Sequence, residues 1–146
     1  MTDIVPPETR SRMMAGIRGK NTAPELAVRR ALFAAGLRFR LHRKDLPGKP
    51  DIVLPARKVA IFVHGCFWHQ HAGCPYAKMP TSNREFWAKK LLANVERDQK
   101  AVHELRMAGW RVLTVWECSI RNKESESSLR AALRAWIDRE SGYGEL

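Results

Sequence analysis

The sequence predicts a single α/β domain. Apolar residues recur at spacings of three and four near residues 22–37, 82–109 and 129–137, and these stretches alternate with short β-rich runs at 51–54, 58–63 and 110–116. The 146 residues carry 26 Lys+Arg against 15 Asp+Glu, a formal net charge of +11 that suits a polyanion, nucleic acid before an anionic membrane. Residues 61–74 run from an apolar strand directly into three histidines, two cysteines and an aromatic pair, a density that indicates a site rather than packing.

The length is enough to bury a core without disulfides. Cys66, Cys74 and Cys118 cannot all pair within one chain, and two of them sit among histidines, which favours metal binding in a reducing compartment and predicts a cytoplasmic protein. No run approaches the ~20 apolar residues of a membrane span, and Met1–Lys20 has no signal-peptide core. Residues 1–50 hold eleven Lys or Arg against Asp3, Glu8, Glu25 and Asp45, so much of the surplus charge is N-terminal.

The organisation follows in order. Residues 1–20 read as a basic arm in which Met13, Met14 and Ile17 form the sizeable apolar cluster, equally suited to plugging the core or touching a partner. Residues 21–140 form the domain and 141–146 a tail. Thr22-Ala-Pro-Glu25 matches a capping box that opens a helix, with Leu26, Phe33 and Leu37 expected inward, Arg29 or Arg30 outward and Gly36 near the stop. Capping is one reading of Glu25, and a functional role is the other. Leu37–His42 alternates as a strand with one basic face. Asp51–Leu54 and Lys58–Val63, joined by Pro55-Ala-Arg57, read as a β-hairpin whose second strand is central. Ser82-Asn-Arg-Glu85 matches a second capping box, and Trp87, Leu91, Val95, Val102 and Leu105 mark a long helix as far as Gly109. Asp98 interrupts its stripe without a reason legible in the sequence. After the run Trp110–Trp116 come Glu117 and Cys118, then a helix marked by Leu129, Leu133, Trp136 and Ile137.

Cys66, His71 and Cys74 lie close enough to bind one ion, and Cys118 arrives from another strand end. Four such ligands suit tetrahedral Zn²⁺ in a closed, structural site, the alternative being buried free thiols and surface histidines. Asp51, after Pro50 at the opening of a buried strand, can hold Mg²⁺ through oxygen, although Pro-Asp is also ordinary turn chemistry. With His64 and His69 on the neighbouring strand end it describes a phosphodiesterase in which a histidine activates water. Phe67 and Trp68 either fill the core or wedge between bases.

Pro50-Asp51, His64-Gly-Cys-Phe-Trp-His69, His71, Cys74, Asn94-Val-Glu-Arg-Asp98, Gly109-Trp-Arg-Val and Val115-Trp-Glu-Cys118 closely resemble the bacterial very short patch repair (Vsr) endonucleases, and the likeness runs from about Thr9 to Ile137. The resemblance implies a central mixed β-sheet flanked by helices, a variant of the PD-(D/E)xK nuclease fold with a structural zinc. It implies nicking of duplex DNA 5′ of the thymine in a T·G mismatch, the product of 5-methylcytosine deamination. Carried over, Asp51 and the Val63 carbonyl would hold catalytic Mg²⁺, His69 would be the general base, His64 a further active-site histidine, and Glu25 would support the site from behind. Cys66, His71, Cys74 and Cys118 would hold zinc. Phe67 and Trp68 would intercalate from one groove, Met14 with Ile17 from the other, while Lys90 and Asn94 would contact the mismatched bases. A cytosine methyltransferase system and mismatch-repair proteins are the implied partners, and a monomer the default state.

Two departures stand out. The second acid and Lys of the wider superfamily are missing from Ala60–His64, and the zinc loop carries one extra residue between His71 and Cys74. Two other functions fit parts of the pattern: a zinc-stabilised DNA-binding module without catalysis, which has no use for Asp51 with His69, and a same-fold endonuclease of other specificity, which need not keep the wedge.

Overall fold

A computed structural model describes residues 22–121 and 126–146, so the arm with Met13, Met14 and Ile17 lies outside the described residues. The elements in chain order are α1 (Ala23–Ala34), β1 (Arg40–Leu41), β2 (Ile52–Leu54), β3 (Val59–His64), α2 (Arg84–Met107), β4 (Arg111–Trp116), α3 (Glu117–Arg121), α4 (Glu126–Asp138) and β5 (Tyr143–Glu145). The strands form one sheet in the order β1-β2-β3-β4-β5. The first three pair antiparallel, whereas β3 with β4 and β4 with β5 pair parallel, so the sheet is mixed and β3 is central, as the sequence predicts.

Alternation along β3 divides the core. Val59 and Ile61 face α1 and α4, joining Val28, Leu32, Leu133 and Trp136, while Ala60 and Phe62 face α2, joining Ala101 and Leu105. The six side chains Leu32, Ile52, Ile61, Leu105, Leu113 and Leu133 are fully enclosed, each stabilising the fold by roughly 1.5–3 kcal/mol relative to exposure. The turn before β2 is tied to α2 at Gly48 (φ +73), where a Cβ would collide with that of Ala101.

Helix α1 is capped as expected in one direction, Thr22 Oγ1 accepting from the Glu25 N–H at 3.3 Å. Its phase differs from the expected one. Val28, Ala31 and Leu32 are buried, Leu26 is partly exposed and Phe33 is 72% exposed. The buried stripe runs Glu25–Val28–Leu32, and setting it on the sheet turns Leu26 and Phe33 outward and brings Arg29 in against Glu25, leaving Arg30 outside. The second capping box does not form: the cap position is Asn83 rather than Ser82, which moves Glu85 out of the box register, and Asn83 enters α2 in the left-handed region (φ 54) without a side-chain cap bond. The N-terminal half of α2 also overhangs the core, with Phe86 and Leu92 exposed and Trp87 and Val95 only half-buried.

The expected strand Leu37–His42 contracts to Arg40–Leu41, since His42 turns left-handed (φ 49) after donating its N–H to the Asp51 carbonyl at 3.0 Å. Residues read as a tail instead pair with β4, and Leu146 exchanges backbone hydrogen bonds with Thr114 and Trp116. Gly144 makes this docking possible: a Cβ there would collide with the Trp136 indole nitrogen. Arg111 closes the end of α4, its guanidinium donating to the carbonyls of Ile137 (3.1 Å) and Ser141 (3.0 Å) and stacking over Trp136. Among the described residues no helix is long and apolar enough to cross a membrane.

Candidate active site

The ends of β2 and β3 lie side by side, and the chemistry-bearing residues collect there. Asp51 immediately precedes β2, and its Oδ2 accepts from the Val63 N–H at 2.8 Å, which straps the carboxylate across the end of β3. Burial pushes the Asp51 carboxyl up to about 6, against the Val63 hydrogen bond; Glu25 raises it further, while His42 and His69 oppose. A carboxylate destabilised in this way is ready to gain from a cation. An oxygen ligand beside the Val63 backbone fits a hard divalent ion such as Mg²⁺.

His64 closes β3 and is 6% exposed. Burial, reinforced by His69, pushes its pKa down to about 3, so it is neutral at pH 7, and its Nδ1 has no hydrogen-bond partner among the described residues. The following turn, in which the His69 N–H donates to the Gly65 carbonyl, stacks His69 on His64 with ring centres 3.7 Å apart and 3° between planes. Asp98 arrives from α2, its Oδ2 2.6 Å from His69 Nδ1. An ionised carboxylate only accepts, so Nδ1 carries a proton, and in the neutral imidazole the lone pair is on Nε2. This contact accounts for an acid within the α2 stripe, and it joins residues too far apart in the chain for spacing to show it.

A second missed group stands behind Glu25. That side chain is 2% exposed, and instead of reaching back to the helix cap its carboxylate meets Arg29 Nη2 at 3.0 Å and His42 Nε2 at 2.7 Å. One ligand atom from each of Glu25, His42 and Asp51 falls within 4.8 Å of the others. In the sequence the alternation runs through His42, so it gives no sign of the left-handed turn there.

Cys66, His71, Cys74 and Cys118 come together as the sequence predicts, one ligand atom from each within 4.8 Å of the others. Cys66 sits beneath the cluster, its Sγ accepting from the Cys118 N–H at 3.3 Å, and Cys118 Sγ lies 3.4 Å from His71 Nδ1. His71 stacks on Trp116 at 4.2 Å. Burial pushes the Cys66 thiol up to about 12, so it ionises only with a cation beside it. Three sulfurs and one imidazole nitrogen at this separation fit zinc, whose tetrahedral sites place sulfurs about 3.8 Å apart.

Neither Phe67 nor Trp68 enters the buried core. They meet edge to face at 5.1 Å, and Trp87 of α2 closes the group at 5.6 Å from Phe67 and 5.9 Å from Trp68. Asn94 Nδ2 donates to the Trp68 carbonyl at 3.1 Å, its Oδ1 receives Arg97, and Lys90 Nζ stands 5.9 Å from the Trp68 ring centre. Asp51, Glu25, His69, Trp68, Lys90 and Asn94 thus share one groove, with a cavity volume of about 1290 Å³.

The sequence matches the family model described as "DNA mismatch endonuclease Vsr" over residues 2–74. It is 49% identical over 138 residues to "Type II nicking enzyme V.XorIIP" of Xanthomonas oryzae pv. oryzae, covering 94% of this chain and 98% of that protein. It is 40% identical over 148 residues to "DNA mismatch endonuclease Vsr" of Escherichia coli, covering 100% of this chain and 94% of that one. A third relative, "Type II nicking enzyme V.NaeI" of Lentzea aerocolonigenes, is 44% identical over 140 residues, covering 92% and 80%. With this likeness spanning nearly its whole length, and with a mixed sheet of the PD-(D/E)xK kind, the chain belongs to the Vsr family and is a DNA endonuclease.

Proposed function

We propose that the protein nicks duplex DNA on the 5′ side of the thymine in a T·G mismatch, starting very short patch repair of deaminated 5-methylcytosine. The observation that carries this reading is one groove in which the hydrogen-bonded pair His69–Asp98 faces Asp51 beside the aromatic pair Phe67–Trp68. A binding module has no use for an imidazole held with its Nε2 lone pair free next to a buried carboxylate, so the non-catalytic alternative accounts for less of the site.

In this mechanism His69 Nε2 removes a proton from water as its oxygen attacks phosphorus, and Asp98 stabilises the imidazolium that forms. The P–O3′ bond breaks and the leaving O3′ takes a proton from solvent water, giving a 3′ hydroxyl and a 5′ phosphate. Neutral His64 holds the His69 ring by stacking and keeps a second positive charge out of the site. Asp51 and the Val63 carbonyl would hold Mg²⁺, which when bound supplies charge neutralisation at the phosphate. Zn²⁺ at Cys66, His71, Cys74 and Cys118 would be structural, fixing the turn that carries both His69 and the wedge. Phe67 and Trp68 would enter the base stack, with Lys90 and Asn94 at the mismatched pair and Met14 and Ile17 of the arm in the opposite groove. We further infer a cytoplasmic monomer working with mismatch-repair proteins and a cytosine methyltransferase system.

Relatives named Type II nicking enzymes favour a second possibility, that flanking-sequence preference differs within the same chemistry. The test is a nicking assay on duplexes that differ only in T·G against T·A, with wild type and Asp51→Ala. Nicking of the T·G duplex alone, lost in the variant, is expected. Equal cutting of both duplexes would defeat the mismatch assignment, and activity in Asp51→Ala would defeat the mechanism.

A further inference from the structure

We propose that His42 is a positioning residue for the cation site: its imidazole holds the Glu25 carboxylate beside Asp51, so that both acids orient one hydrated divalent cation. The inference rests on the reading that Asp51 binds the catalytic cation.

Three observations carry it. First, both Glu25 oxygens are engaged, one by His42 Nε2 at 2.7 Å and the other by Arg29 Nη2 at 3.0 Å, which sets the plane of the carboxylate. Glu25 and Asp51 line the groove, whereas His42 does not, so the imidazole acts from behind Glu25 rather than on substrate. Second, His42 adopts a left-handed backbone (φ 49) at the point where a continuing strand would carry its side chain elsewhere. Residues with a Cβ rarely adopt that conformation, and such strain gathers where a side chain must be aimed. Third, the His42 N–H donates to the Asp51 carbonyl at 3.0 Å, so one residue is bonded to the backbone of one acid and the side chain of the other. A divalent cation that keeps several waters meets a nearby second carboxylate through those waters, and partners that orient such groups typically change metal affinity 10–100-fold when removed.

The test compares His42→Gly, His42→Gln and Asp51→Ala in the full chain with zinc retained. Mn²⁺ binding to DNA-free protein is measured by electron paramagnetic resonance, alongside the Mg²⁺ dependence of nicking. His42→Gly removes the imidazole while suiting the left-handed backbone, which offsets part of the stability lost with the Glu25 hydrogen bond, so the variant should stay folded at the assay temperature. Its Mn²⁺ affinity is expected to fall 10–100-fold, its Mg²⁺ midpoint to rise by a similar factor, and His42→Gln, which restores an N–H donor, to recover most of both. Wild-type Mn²⁺ affinity in His42→Gly would overturn the proposal. Should His42→Gly melt early, the Glu25→Gln background decides at a temperature where both proteins are folded. There, adding His42→Gly should change Mn²⁺ affinity less than twofold, and a further tenfold loss would overturn the proposal. Unchanged Mn²⁺ binding in Asp51→Ala would instead reject the cation reading itself.

Discussion

His69 Nδ1 and Asp98 Oδ2 stand 2.6 Å apart across the gap between the turn that follows β3 and helix α2. The pair couples the two halves of the groove: α2 also carries Lys90 and Asn94, and the turn also carries Phe67 and Trp68. Asp98→Asn keeps the shape but can offer its amide N–H to Nδ1, which moves the imidazole proton to Nε2 and removes the lone pair that accepts from water. Single-turnover nicking should slow by roughly 10²–10⁴, with DNA affinity within twofold of wild type. A rate within threefold would remove Asp98 from the mechanism.

Asp51 should trade stability for activity. Its folded-state pKa, about 6 because of burial, lies above the ordinary 3.8. Its contribution is therefore fully present below pH 3.8 and is lost as pH rises through 6, a loss of about 3 kcal/mol by neutral pH. Asp51→Asn keeps an oxygen for the Val63 N–H and abolishes the charge. In Mg²⁺-free buffer with zinc retained, urea melts at pH 8 should show the variant more stable than wild type by about 1–3 kcal/mol, shrinking toward zero near pH 4. A variant less stable than wild type at pH 8 would contradict this account.

Zinc should be required for the fold around the turn. Cys118→Ser is expected to lose bound zinc and to lower the thermal midpoint, and a strong chelator should do the same to wild type. Metal analysis together with calorimetry reads both. A folded Cys118→Ser protein with full zinc content would take Cys118 out of the ligand set.

Trp68 lies outside the buried core, so Trp68→Ala should cost little stability. If the ring stacks on bases, binding to a T·G duplex should weaken by about 1–3 kcal/mol, and binding to a matched duplex by less. Equal weakening on both duplexes would show that Trp68 does not report the mismatch.

Much of the site was legible before folding because its spacing is local. Cys66, His71 and Cys74 fall within nine residues, and the apolar run ending at His64 marks a strand whose tip carries chemistry. The hairpin Ile52–Leu54 with Val59–His64 follows from turn residues between apolar runs, and α4 from Leu129, Leu133, Trp136 and Ile137, all of which are buried. Such features depend on neighbours along the chain.

Tertiary structure decided the rest. Which face of α1 goes inward depends on the helix and sheet packing together: Val28 and Leu32 fit where Leu26 and Phe33 would leave Glu25 outside. The partnership of Asp98 with His69 spans 29 residues, and that of His42 with Glu25 spans 17. Strand β5 exists because Gly144 lets the chain pass Trp136 and reach the open edge of β4. Periodicity states which residues share a face but not what that face meets. The sequence therefore determined the central hairpin, the Cys/His cluster and the family resemblance, while the fold alone brought the acids to the histidines, since hydrogen bonds between distant residues leave no spacing to read.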